Sequence, residues 1–218
     1  MFRALVLSAA AAGVAGGLVA ATYQALVATP LILEAEIFEH AGEAAGQGAA
    51  TGAGFGRQLL TTLATIVLAA GGALVLLGLM ILERGAITAR RALPWGAGAF
   101  LALALAPAVG LPPELPGMPA ADLAERQIWW LATVLATAFG LWTMLCRGGS
   151  AAIVLGLLAI VLPHVVGAPQ PVSHETAVPA GLAAQFVAVS LAGSLILWIV
   201  VSSIAGAVFD RLGPGANE

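Results

Sequence analysis

The sequence predicts an all-α fold, a polytopic transmembrane helical bundle of about six spans, with five as the alternative count. Three observations carry that prediction. Of 218 residues, 61% are hydrophobic and 9% are charged, with a mean hydropathy of +1.02, and so few charges cannot cover a soluble surface. Apolar runs of roughly 18 residues or more recur, the length that crosses about 30 Å of hydrocarbon at 1.5 Å per helical residue. The runs are rich in Ala, Leu, Val and Gly without period-2 alternation, so helices fit and a β-barrel does not.

The elements are expected at 4–28, 59–82, 93–111, 128–145, 151–166 and 182–209, forming one integral membrane domain over 1–218. The first run follows Arg3 and resembles a signal peptide, but it is too long for a typical h-region and no polar mature domain follows, so it reads as an uncleaved helix. Its Gly13 and Gly17 are spaced to let another helix approach closely. Pro30 is expected to kink or end the first helix. The fifth span is short, and Pro163 interrupts its end. In the stretch before the fourth span, Asp122 is placed to cap the entering helix and to pair with Arg126 one turn later.

Arginine placement sets the expected direction. With six spans, Arg3, Arg84, Arg90, Arg91, Arg147 and Arg211 fall on one side and Arg57 and Arg126 on the other, which puts both termini in the cytoplasm. Trp95 and Trp142 then lie near the inner interface, Tyr23, Trp129 and Trp130 near the outer one, and Trp198 packs in mid-span. Most acids and all three histidines fall outside, an arrangement whose negative potential concentrates cations.

All eight basic residues are arginine, so neither a P-loop lysine nor a Schiff-base lysine exists in the chain. Cys146 is the single cysteine, which excludes an internal disulfide. No GxSxG or HExxH motif is found, and Ser173-His174-Glu175 is a neighbourhood rather than a triad. No catalytic residue, enzyme activity, tightly bound cofactor or nucleic-acid partner is expected.

The candidate site begins where the first apolar run meets acids. If 29–43 is helical, Glu36, His40 and Glu43 fall at i, i+4 and i+7 with Glu39 adjacent, while Glu34 points elsewhere. Crowded carboxylates raise one another's pKa, and a divalent cation relieves the repulsion. The plainer reading is a solvated acidic loop. His164 and His174, joined by a proline-rich loop, lack the helical spacing of a zinc protease and are the second candidate group. Glu34, Glu36, His40, His164 and His174 are therefore the candidate metal ligands, with Glu39 and Glu43 secondary. Imidazole and carboxylate suit divalent cobalt, nickel or zinc better than Cu(I). Gln24 and Gln185, near the outer ends of their spans, either line a path or bond across helices.

Several stretches together resemble the CbtA family of cobalt transporter subunits. They are the small-residue first helix running into Ala28-Thr29-Pro30-Leu31-Ile32-Leu33-Glu34-Ala35-Glu36, Pro112-Pro113-Glu114-Leu115-Pro116-Gly117, Asp122-Leu123 with Arg126-Gln127-Ile128-Trp129-Trp130, and Gly167-Ala168-Pro169. The resemblance implies a multi-span protein of the bacterial inner membrane, usually of five spans, that takes up Co²⁺ as cargo beside cobalamin-related functions. It also implies a small membrane partner, CbtB, with a histidine-bearing terminus. A non-transporting scaffold or accessory subunit is the alternative function, and a homo-oligomer is compatible with the small-residue helix faces.

Overall fold

The computed structural model of the protein describes residues 1–42 and 54–213. Among them every regular element is helical: α1 (Phe2–Tyr23), α2 (Thr29–Gly42), α3 (Gly54–Leu82), α4 (Ala89–Phe100), α5 (Ala106–Gly110), α6 (Leu123–Trp142), α7 (Ser150–Val166) and α8 (Ala180–Leu212). π-Helical turns at Gln24–Ala28 and Leu101–Leu105 join α1 to α2 and α4 to α5, and a third, Thr143–Arg147, ends α6. Five of the resulting helices are long and apolar enough to cross a membrane; α7 is apolar but has 17 residues, about 25 Å of helix. The helical bundle is as expected, and the uncertainty in span count falls on the same short segment.

One expectation about proline changes. The first helix does not end at Pro30 but continues to Gly42, while α7 runs past Pro163 to Val166, the limit expected of the fifth span. Pro30 and Pro107 each stand two residues beyond the end of a π-helical turn. A proline lacks the N–H that would bond back along the helix, and its ring crowds the preceding turn. One widened turn relieves both problems. The amide N–H and the hydroxyl of Thr29 both turn to the carbonyl of Gln24, the hydroxyl at 3.0 Å, and the N–H of Ala106 bonds to Leu101 across the second π turn. In α7, Pro163 sits in the final turn, where its carbonyl still accepts from the Gly167 N–H at 3.1 Å.

The helices form two compact units, with the divisions at 29/30, 97/98 and 191/192 falling within helical runs. The first unit takes α1, α3, the start of α4 and the second part of α8. Here α1 and α3 run antiparallel at close range. A Cβ built on Gly13 would lie 2.5 Å from the Cβ of Ala70, and one on Gly17 would lie 2.6 Å from the Cα of Ile66. As α1 advances four residues, α3 recedes four. The glycine pair does what its spacing predicts. Gly72 lies beneath the indole of Trp198, Gly96 against Ser202, and Gly206 against Ala92 and the Thr88 carbonyl. Trp198 is thus a packing residue, as expected.

Large side chains point the other way. On α3, Leu60, Leu68, Val75 and Leu82 are 64–76% exposed, while Ala69, Ala73 and Leu77 on the opposite face are buried. Small residues inside and large apolar residues outside is the pattern of helices that associate in lipid, where close van der Waals contact replaces the hydrophobic drive. In water such a surface would aggregate.

The second unit takes α2 from Pro30, α4 from Gly98, α5, α6, α7 and α8 up to Leu191. Gly140 of α6 and Gly156 of α7 meet backbone to side, each leaving no room for a Cβ, and Trp129 of α6 bonds to Pro163 of α7. The contacts show that α7 returns alongside α6. The apolar face of α2, through Leu31 and Ala35, packs with Leu115, Val178 and Leu182.

Candidate functional site

At one end of the second unit the segments 111–122 and 167–179 lie together with the start of α6 and the end of α7. The Thr176 hydroxyl donates to the Gly117 carbonyl at 3.0 Å and ties the two segments. Leu115 and Val178 anchor both on α2. The local chemistry explains each fold-back: Met118 N–H bonds to the Leu115 carbonyl at 3.2 Å, and Gly117 adopts a positive φ of 78° that closes the turn.

Asp122 caps α6 as expected, its carboxylate accepting from the N–H groups of Ala124 at 2.9 Å and Glu125 at 3.2 Å. Arg126 does not follow the i, i+4 expectation. Its guanidinium pairs instead with Glu114 at 2.8 Å, the two side chains 29% and 21% exposed. Asp122 is already oriented by the helix terminus, and Glu114 arrives from the preceding segment, so the tertiary partner takes the cation.

One turn further along α6, the Trp129 indole N–H donates to the Pro163 carbonyl at 3.1 Å in a buried bond. The His164 ring meets Trp129 edge to face, with centroids 5.7 Å apart. Gly110 lies under the same indole, where a Cβ would approach it to 2.6 Å. The proline that sequence reading treated as an interruption is therefore a docking point for α6. Buried and without a hydrogen-bond partner are Nε of Arg126 and Nδ1 of His164 at this end, and Oγ1 of Thr137 two turns further along α6. Such groups are costly to leave unsatisfied and are where water or a polar ligand gains most.

The expected ligands are distributed as follows. Glu34 is exposed on α2, and Glu36, two residues on, is half-buried and makes a contact of its own. The backbone of Glu39 and His40 continues α2, while their side chains and the whole of Glu43 lie outside the described residues. His164 is half-buried against Trp129, and His174 is exposed on the 167–179 segment. Among the described residues, no three His, Cys, Asp or Glu side chains come together as a metal cage. Glu34, Glu36, His164 and His174 thus share the second unit without forming such a group. Gln24 is partly buried as the first residue of the π turn, and Gln185 is exposed on α8.

Sequence reading missed the Glu114–Arg126 pair and the Trp129–Pro163–His164 contact. Both join residues far apart in sequence, and no spacing rule signals them. Only the tryptophan in the second turn of α6 gave a hint, and it was read as an interfacial anchor.

Helices that hold their small residues inward and their large apolar residues outward, with capped and ion-paired polar ends, define a polytopic helical membrane protein. The chain matches the family model described as "Probable cobalt transporter subunit (CbtA)" over residues 2–210. It belongs to the CbtA family and is by that membership a transporter subunit. No match was found among curated proteins or among solved structures.

Proposed function

We propose that this chain is the membrane-embedded subunit through which Co²⁺ enters the cell across the bacterial inner membrane. The observation that carries the proposal is the family match over residues 2–210. In this reading both termini are cytoplasmic and the acidic segments face outward. Glu34, Glu36 and His40 meet the ion first, His164 and His174 supply further ligands, and Glu39 and Glu43 add negative potential. Ligands that form no closed cage among the described residues suit cargo, which must leave as readily as it binds, better than a resident metal. With no lysine for a P-loop, the chain draws energy from an ion or proton gradient or from a separate ATPase. A small CbtB-like membrane subunit is the proposed partner.

Cobalt content measured by mass spectrometry, in cells with and without the protein at limiting cobalt, tests the proposal. Higher content with the protein is expected; equal content with expression confirmed would refute it. Glu36→Ala lowers uptake more than Glu218→Ala. The family description as a subunit also favours a second reading, an accessory scaffold that conducts no ion alone. Purified protein in liposomes separates the two: transport without a partner supports a self-sufficient path, and transport only after CbtB is added supports the subunit role.

A further inference from the structure

Five of the eight arginines converge on one end of the first unit. The α1–α3 register places the start of α1 beside the end of α3, because Gly13 faces Ala70 and Gly17 faces Ile66. The contacts of Gly96 with Ser202 and of Gly206 with Ala92 run α4 antiparallel to α8 in the same way. Ala4, Met80, Ile87 and Phe209 accordingly share one buried cluster. Arg3, Arg84, Arg90, Arg91 and Arg211 all lie at this end and all are exposed, outnumbering the acids Glu83 and Asp210 beside them.

Two features make this more than scattered charge. Arg84 closes α3 in a left-handed conformation, with φ of 54°, a backbone state that costs a non-glycine residue energy. The Arg91 guanidinium then folds back over the turn, so that a Cβ on Gly85 would lie 3.3 Å from it. The Arg91 guanidinium thus lies over the turn that Arg84 closes. Around them stand apolar side chains that water alone would not accommodate: Phe2 is 79% exposed and Leu82 76%. Guanidiniums beside exposed aromatic and leucine side chains match the depth where lipid phosphates overlie hydrocarbon. A planar fork of donors engages phosphate oxygens in pairs, which an ammonium does not.

We infer that this end of the first unit binds the headgroups of anionic phospholipids, with the Arg91 guanidinium over Gly85 as its centre and Arg3, Arg84, Arg90 and Arg211 around it. The inference depends on the protein lying in a membrane and not on which ion it carries.

The test uses the full chain and native mass spectrometry, comparing retention of phosphatidylglycerol with that of phosphatidylcholine. The wild-type protein is expected to retain phosphatidylglycerol preferentially, and the triple variant Arg84→Gln, Arg90→Gln, Arg91→Gln to lose that preference, on the order of fivefold per arginine. Gly85→Leu keeps every charge but displaces the Arg91 guanidinium, and it should weaken the preference in part. Arg57→Gln, at the other end of α3, should leave it intact. Should the triple variant fail to fold, raising salt from about 0.05 M to about 0.5 M on the wild-type protein must erode the preference. Equal retention of the two lipids, a preference unchanged in the triple variant, or indifference to Gly85→Leu would overturn the inference. So would displacement of the lipid by millimolar inorganic phosphate, which would mark a soluble-anion site.

Discussion

Replacing Gly13 by alanine adds one methyl group at one of the two glycines where α1 and α3 approach closely. That methyl would sit 2.5 Å from the Cβ of Ala70, and 2.7 Å from its Cα, against an ordinary carbon contact of about 3.5–4.0 Å. The helices must part locally by about 1 Å, and a gap of that size forfeits a quarter to a half of each dispersion contact along the seam. Overpacking of this kind costs about 1–3 kcal/mol. In a membrane the loss is not recovered by hydrophobic burial elsewhere, since lipid and leucine are equally apolar. Thermal unfolding in detergent, followed by helical circular dichroism, reads the effect against Gly71→Ala and Gly78→Ala. Those two glycines have nothing within 4 Å of an added Cβ, so their substitution should be neutral or mildly stabilising. The sharper measurement is the exchange Gly13→Ala with Ala70→Gly, which removes the Cβ overlap but leaves the Cα and N of residue 70 at 2.7 Å and 2.8 Å from the added methyl, so it should recover only part of the loss. A Gly13→Ala protein as stable as Gly71→Ala, or an exchange variant as stable as the wild type, would refute the packing argument.

Trp129→Phe removes the indole N–H from the Pro163 carbonyl and part of the ring over Gly110. Because Gly167 still donates to that carbonyl, the hydrogen bond accounts for about 1 kcal/mol and the lost ring for about 1 kcal/mol more, read as a lower unfolding temperature. Glu114→Gln and Arg126→Gln, with their double variant, form a cycle. Both side chains are a quarter or so exposed, so the coupling should be about 1 kcal/mol rather than the value of a fully buried pair. Asp122→Ala should cost about 1 kcal/mol through the lost cap of α6, and Asp122→Asn should recover most of it.

The sequence alone determined the class of protein and much of its outline. Twenty or so apolar residues in a row can satisfy their backbone in lipid only as a helix, so the existence and approximate limits of the spans follow from composition and length. The short segment before the proline-rich loop was the natural place for doubt, and it is the helix of 17 residues. Gly13 and Gly17 were legible as a close-approach face because absence of a side chain is a local property, and Asp122 as a cap because capping acts within three residues.

What only the tertiary structure decided depends on partners remote in the chain. Arg126 chose Glu114 over Asp122, and Trp129 chose the carbonyl of a proline expected to break its helix. Whether Pro30 stopped the first helix turned on the neighbouring turn widening enough to spare it. Residues a few positions apart interact through a geometry that helical periodicity fixes in advance. Residues 12 or 34 positions apart meet only where packing has already brought their helices together, and no periodicity in the sequence encodes that distance.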